Sequence, residues 1–193
     1  MIFGKFVVFA FISNSSLDWP LAIVLMVALL LGIWLLRPVA TLVHEMGHAF
    51  PALLFTSSIV EVRVGSKAQS LESASSTNAK DKRQTALRSL GRLHWSLSFR
   101  DSLQGFTGYD RNGMNRLSLL LVIAGGPLFS LLACALGAWL TLDLLKLPEA
   151  RVCSAAFLCV NMILFVRSFV PVTLRGGEPT DGLDFLRTLQ KSD

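Results

Sequence analysis

Long apolar stretches decide what this chain can fold into. Residues 21–56, 117–142 and 152–171 are predominantly apolar. A helix needs about 20 apolar residues to cross a hydrocarbon core ~30 Å thick, and each stretch is close to or above that length. Only 16% of all residues are charged, compared with about 25% in soluble domains. We therefore predict a polytopic α-helical membrane protein with three to four transmembrane helices, surrounded by the lipid bilayer.

The first apolar stretch leaves the number of helices open. Arg37 and Pro38 interrupt it, and apolar sequence then resumes as far as Phe55. A single straight helix over residues 21–55 would be ~52 Å long, which exceeds the thickness of the hydrocarbon core. Either proline kinks one long helix, or two spans meet at a tight join. Residues 1–20 combine a short apolar run with a Trp-Pro boundary, which is typical of a segment at the membrane interface.

A small β-sheet is predicted in the insert between the first and second spans, residues 57–116. Val60, Val62 and Val64 alternate with charged residues, as in a strand with one buried face. A second alternation covers residues 93–100.

The rest of the insert contains a loop and one more strand. Residues 105–110 have the glycines and β-forming residues of a short strand with turns. Residues 66–88 lack periodicity and are rich in Ser, Ala and Lys, which predicts a mobile loop. We expect two to four strands in total.

The charge of the insert predicts its side of the membrane. Residues 59–116 include ten basic and five acidic residues. Cytoplasmic loops are biased toward Lys and Arg, so we place the insert on the cytoplasmic side of a cell membrane. The same bias explains the basic charge without nucleic acid, which we do not expect as a partner. Two further spans return the C-terminal residues 172–193 to the same side.

One short motif carries the chemistry. His44 and His48 are four residues apart, so on a helix they share a face, with Glu45 beside them. Two neutral imidazoles at this spacing bind one zinc ion, and the carboxylate serves as general base for an activated water molecule. The simpler alternative is a hydrogen-bonded polar cluster between helices, but such groups are costly at membrane depth without a function. We predict one Zn²⁺ bound by His44 and His48, with Glu45 catalytic.

A catalytic zinc site needs a third protein ligand. The later candidates are Glu149, Glu178, Asp181, Asp184 and the remaining histidine, His94. We prefer Asp181, because it lies just beyond the last span on the same side as the motif and because Gly182 permits close backbone packing beside it. The alternative role for Asp181 is a turn or helix N-cap residue.

The chain resembles the site-2 protease family of intramembrane zinc metalloproteases. The resemblance covers residues 38–186 and rests on three motifs. These are His44-Glu45-Met46-Gly47-His48, Ala124-Gly125-Gly126-Pro127 and Thr180-Asp181-Gly182. It implies a membrane-embedded zinc metalloendopeptidase that hydrolyses peptide bonds in or near the transmembrane segments of membrane proteins, as in regulated intramembrane proteolysis. The chain would be a minimal member without a PDZ domain.

The resemblance also implies where substrate binds. The sheet would receive an extended substrate segment by strand addition. The middle span of the family usually reads Ala-Gly-Pro, with asparagine three residues beyond the proline. Here Gly126 is additional and Ser130 holds the position of the asparagine. The substrate-binding residues implied in this way are Val62, Val64, Gly126, Pro127 and Ser130.

Two alternatives remain open from the sequence. Other membrane zinc proteases share the His-Glu motif but take a glutamate from a later helix as third ligand, and these spans contain no suitable glutamate. The non-enzymatic alternative is a zinc-binding scaffold or a metal transporter built on a similar bundle. A transporter ordinarily has several polar residues distributed across its spans, whereas outside the motif these spans have Asn161, Arg167 and little else. The oligomeric state does not follow from the sequence.

Overall fold

The computed structural model describes residues 19–65, 88–97, 104–144, 147–174 and 177–190. The elements in chain order are α1 (Trp19–Phe55), β1 (Val60–Val64), β2 (Arg88–Leu90), β3 (Leu93–Leu97), β4 (Gly105–Gly108), α2 (Arg116–Trp139), a π-helical turn (Leu140–Leu144), α3 (Pro148–Phe169) and α4 (Asp181–Gln190). Helix α1, helix α2 with its π-helical turn, and helix α3 are long and apolar enough to cross a membrane. The predicted fold class, a polytopic helical protein with a small sheet after the motif helix, is therefore confirmed.

Two predicted segments lie largely outside the described residues. The interfacial segment 1–20 is described only at Trp19 and Pro20, which begin α1. The loop near 66–88 is described only at Arg88, which begins β2.

Helix α1 is one continuous element of 37 residues, so the first apolar stretch is a single helix. At 1.5 Å per residue it is about 55 Å long. Its most hydrophobic window, near the N-terminus, has no buried residue, whereas burial begins at Pro38 and continues through the motif. The half of α1 that carries the histidines is therefore the half that packs against the rest of the protein.

Glycines allow α1 and α2 to approach at the level of the motif. A Cβ added at Gly47 would lie 2.3 Å from the carbonyl oxygen of Gly125, and one added at Gly125 would lie 2.0 Å from that of Gly47. Real Cβ atoms do not approach oxygen so closely, so both positions require glycine. Pro51, four residues after Gly47, has no amide hydrogen for the Gly47 carbonyl, which faces the neighbouring helix instead. The motif helix is thus held by backbone contact.

The sheet has four strands in the order β2-β3-β1-β4. Strand β1 pairs in parallel with β3 and antiparallel with β4, while β2 and β3 are antiparallel. The valines of β1 are fully buried, and Val60 and Val62 pack against Ala49 and Ala52 of α1. The predicted strands are found at β1, β3 and β4. Strand β2 was not predicted, because its three residues lie at the edge of a stretch without periodicity.

Candidate metal centre

Three side chains from distant parts of the chain meet at one point. The Nε2 atoms of His44 and His48 lie 3.2 and 3.5 Å from Oδ2 of Asp181. The potential ligand atoms of the three residues are all within 4.8 Å of one another. Both histidines are buried, and Asp181 is 137 residues from His44 in sequence. Of the five candidates for third ligand, the one preferred from the sequence is the one that reaches the histidines.

The distances from Asp181 to the two histidines fit a tetrahedral metal ion. Ligand atoms ~2.0–2.1 Å from a tetrahedral zinc ion are ~3.3 Å apart. The two nitrogen–oxygen distances, 3.2 and 3.5 Å, bracket this value. Two imidazoles with one carboxylate form a donor set that zinc accepts, and three protein ligands leave a fourth position for water or substrate. The residues present therefore fit a catalytic zinc site.

Hydrogen bonds on the far side of each imidazole orient the two histidines. Nδ1 of His44 lies 2.8 Å from Oγ of Ser130, and Nδ1 of His48 lies 2.8 Å from the carbonyl oxygen of Val122. When each Nδ1 donates its proton outward, each Nε2 presents a lone pair toward the common point. Such outer partners fix the tautomer and ring orientation of metal-binding histidines. Helix α2 therefore supports both candidate ligands.

Ser130 has a different position from the one that the resemblance implied. It is fully buried beneath His44, and its hydroxyl meets the imidazole rather than the open cavity. We therefore revise the expected role of Ser130 from substrate contact to support of a ligand.

Asp181 is held at the site by a tight turn after α3. The Thr180 hydroxyl donates to the Val170 carbonyl at 2.7 Å and accepts from the Val172 amide at 3.2 Å. A Cβ at Gly182 would lie 2.1 Å from the carbonyl oxygen of Phe169, so only glycine lets α4 begin against the end of α3, as the sequence suggested. Asp181 is the first residue of α4, and its carboxylate points to the histidines.

The charge state of Asp181 suits a metal ligand. Burial alone raises the pKa of this carboxyl, but hydrogen bonds and charge from His44 and His48, when their Nε2 atoms carry protons, outweigh burial and hold the pKa well below its usual range. The carboxylate is therefore ionised at neutral pH, as metal coordination requires.

Glu45 lies beside the three ligands and is held by strand β4. It is buried, and the Thr107 hydroxyl donates to its Oε2 at 2.6 Å. A Cβ at Gly105 would lie 2.1 Å from its Oε1. Strand β4 therefore both orients this carboxylate and leaves space for it. Nothing in the sequence indicated Thr107, because its contact with Glu45 exists only once the sheet has docked on α1.

The additional glycine of the middle span lies against the His48 imidazole. A Cβ at Gly126 would lie 2.1 Å from Nε2 of His48, the nitrogen that faces Asp181. Any other side chain here would overlap the His48 imidazole itself, so glycine is what lets this ring lie against α2. Pro127 is buried within α2 one residue further on. Gly126 therefore contacts His48 and does not line the cavity, where the resemblance implied a contact with substrate.

Val62 and Val64 do not reach the cavity. Both are fully buried, and β1 is paired with β3 on one side and β4 on the other. A strand with two partners has no free backbone groups for a third, so their predicted contact with substrate needs correction. Among the described residues, the outer strand on this side of the sheet is β4.

An open cavity of about 700 Å³ connects these groups. The motif residues and Asp181 line one part of it, and β4 lines another. Beyond the residues expected from the sequence, the lining includes Gln104, Tyr109, Arg111 and Arg167. Glu149 lies in the first turn of α3, about 30 Å along the helix from the end that meets Gly182. His94 lies on β3, outside the cavity lining.

Comparison with known proteins identifies the family. The family model for M50B-like peptidases matches residues 19–176, which is most of the chain. That range includes the motif helix, the sheet, α2 and α3, and ends before Asp181. No curated protein and no solved structure matches the chain. The chain belongs to the M50B-like peptidases, the membrane metalloproteases of the site-2 protease type.

Proposed function

We propose that this protein is a membrane-embedded zinc metalloendopeptidase that hydrolyses peptide bonds in or near the transmembrane segments of other membrane proteins. One observation carries the proposal. The Nε2 atoms of His44 and His48 converge with the Asp181 carboxylate at distances that suit a single metal ion, and Glu45 lines the same cavity. A polar cluster with a purely structural role would have no need of the adjoining open cavity.

The chain's own groups divide the work of hydrolysis. When bound, zinc supplies a Lewis acid that polarises the scissile carbonyl and acidifies water. His44, His48 and Asp181 hold the ion, and the outer hydrogen bonds from α2 keep the imidazoles in place. Glu45 accepts a proton from the attacking water and delivers it to the leaving amine as the carbon–nitrogen bond breaks. The hydrogen bond from Thr107 holds one oxygen of Glu45 in place. It therefore limits the Glu45 side chain to rotamers in which the carboxylate is set for proton transfer.

Strand β4 is the best candidate for the substrate-binding edge. It pairs with β1 on one side, and its residues Gly105, Phe106 and Thr107 line the cavity on the other. A peptide bond must be extended before its carbonyl is open to attack, and a peptide that adds to a sheet edge is extended. The expected contact with the sheet is therefore kept, but its location moves from β1 to β4.

We also infer that the site faces the cytoplasmic side of the cell membrane. The sheet packs against α1, and Asp181 of α4 meets the motif histidines of the same helix, so the insert and the C-terminal segment lie on the same side. The excess of basic residues in the insert supports a cytoplasmic position for that side.

The proposal is tested by cleavage and metal content measured on the same variants. The probes are synthetic single-span peptides, reconstituted in vesicles with the purified protein, that carry helix-weakening residues in the transmembrane segment. We expect Glu45→Gln to retain zinc and lose cleavage, and Asp181→Ala to lose both. Glu61→Gln is the matched control, because Glu61 is ion-paired with Arg63 on the sheet and does not line the cavity.

The outcomes separate the alternatives. Cleavage by Glu45→Gln at the wild-type rate would rule out Glu45 as the base. Zinc bound by His44, His48 and Asp181, with no cleavage of any probe by the wild type, would favour the non-catalytic scaffold. Zinc retained by Asp181→Ala would show that another group is the third ligand.

A further inference from the structure

We propose that Arg111 is a positioning residue for the metal centre, which acts through Asp184 to hold the helix that carries Asp181. The proposal rests on the proposed function, because it assumes that Asp181 binds a metal ion. It adds a contact that no sequence motif indicates: an ion pair between the turn after β4 and the first turn of α4.

Helix α4 needs an external contact because it is short and little buried. It has ten residues, and Thr188 is the buried residue among them. A helix of this length is marginal in water without tertiary contacts. Its N-terminus is fixed by the turn at Thr180, but the rotation of the helix about that point depends on contacts further along.

Arg111 supplies such a contact one turn beyond the ligand. Its guanidinium lies 2.9 Å from Oδ2 of Asp184. Residues three apart on a helix share a face, so Asp184 and Asp181 project from α4 toward the same cavity, which both of them line. The ion pair therefore acts on the face of α4 that presents the ligand.

Arg111 is itself anchored to the core of the sheet. Its guanidinium carbon lies 5.4 Å from the centre of the Tyr109 ring, which is within the range of a cation–π contact. Tyr109 packs against the cluster that contains Val62 of β1 and Ala49 of α1. A continuous path of contacts thus runs from the core through Tyr109 and Arg111 to α4.

A second arginine ties the other end of the same helix. The Arg116 guanidinium, at the start of α2, donates to the carbonyl oxygen of Leu189 near the end of α4. This contact limits movement of the C-terminal end and leaves the ligand-bearing turn to Arg111.

The sign of the effect separates positioning from simple electrostatics. Arg111 lines the same cavity as the ligands, and a positive charge near a cation site repels the cation. Through-space repulsion alone therefore predicts that removal of the charge strengthens zinc binding. Positioning predicts that removal of the Arg111 charge weakens zinc binding, because the helix that carries Asp181 loses the contact that orders it. A substitution of Asp184 alone would not discriminate between the two explanations. Removal of its negative charge weakens zinc binding under both of them.

The experiment measures zinc affinity of purified full-length protein in detergent, by competition with a chromophoric chelator. The variant is Arg111→Met, which keeps the aliphatic stem and removes the charge. Because the pair is partly exposed, at 52% for Arg111 and 21% for Asp184, we expect a loss of affinity of about three- to tenfold, at or below the low end for outer partners of metal ligands. The loss should shrink at high salt, where the wild-type pair is screened.

Two further variants keep the test specific. Arg63→Met removes a comparable partly exposed ion pair, to Glu61, that does not line the cavity, and should leave zinc affinity unchanged. The exchange Arg111→Asp with Asp184→Arg should restore most of the affinity if the pair acts by its contact. Helix content from circular dichroism shows whether each variant is folded.

Each outcome decides the proposal. Weaker binding in Arg111→Met, recovered in the exchanged pair and absent in Arg63→Met, supports it. Unchanged or stronger binding in Arg111→Met overturns it, as does an equal loss in Arg63→Met. Failure of the wild type to bind zinc overturns the proposed function and this inference together, whereas wild-type binding with an unaffected Arg111→Met overturns the inference alone.

Discussion

The hydrogen bond between His44 and Ser130 gives a quantitative test of the metal centre. Ser130→Ala removes the hydroxyl that lies 2.8 Å from Nδ1 of His44. Both residues are buried, so water does not readily replace the lost partner. A buried polar group left without a partner costs about 1–3 kcal/mol, which corresponds to about 5- to 150-fold in a dissociation constant. Outer partners of metal-binding histidines are worth about 10- to 100-fold in affinity, and we expect a loss within that range.

The assay is the competition measurement of zinc affinity in detergent, with Ser154→Ala as matched control. Ser154 is also buried and donates to the carbonyl oxygen of Gly137 at 3.0 Å, so this variant loses a comparable hydrogen bond between α2 and α3. It should lower the thermal stability without changing zinc affinity. An affinity of Ser130→Ala within about twofold of the wild type, the error expected for independent sites, would refute the reasoning. An equal loss of zinc affinity in Ser154→Ala would show that the effect comes from general loosening of α2.

Three further substitutions test other contacts of the site. Thr107→Val should lower kcat for the peptide probes about tenfold or more at unchanged zinc content, because the general base loses its hydrogen bond, and Thr107→Ser should recover most of that loss. Gly126→Ala should abolish zinc binding measured by metal analysis, since the added methyl group overlaps the His48 imidazole and displaces it; retained zinc would show that the helices adjust. Gly182→Ala should reduce zinc affinity about tenfold or more by displacing Asp181, with folding checked by circular dichroism.

The parts of the fold that depend on local sequence were predictable. His44 and His48 are about one helical turn apart and Glu45 is next to His44, so their grouping follows from helix periodicity alone. The burial of Val60, Val62 and Val64 followed from their alternation with charged residues. These predictions needed no knowledge of which elements are neighbours, and the structure agrees with them.

Predictions that depend on the neighbours of an element were less accurate. Asp181 was reached by counting spans, which places it on the side of the motif, and by the glycine after it. Val62 was assigned to substrate by the family resemblance, which implies strand addition to the sheet, but β3 and β4 both pair with β1 and cover its edges. The pairing of β1 with β3 joins strands separated by residues 65–92, and no local pattern specifies which strand becomes the outer one.

The roles of Ser130 and Thr107 depend on helix and sheet packing. Ser130 was singled out by its position three residues beyond Pro127, yet only the approach of α1 to α2 shows that its hydroxyl meets His44 rather than substrate. Thr107 lies on a four-residue strand and contacts Glu45 across 62 positions of sequence. A contact of that separation is set by tertiary structure.

The length of β4 has a consequence for the choice of target under the proposed function. A strand of four residues is about 13 Å long, and the same number of residues in a helix spans about 6 Å. A client helix therefore has to melt little more than a single turn to match this edge, at the cost of a few internal hydrogen bonds. Selection would then depend on where a client is locally easiest to unravel, so that a well-placed glycine, proline or asparagine matters more than any particular side chain beside the cut.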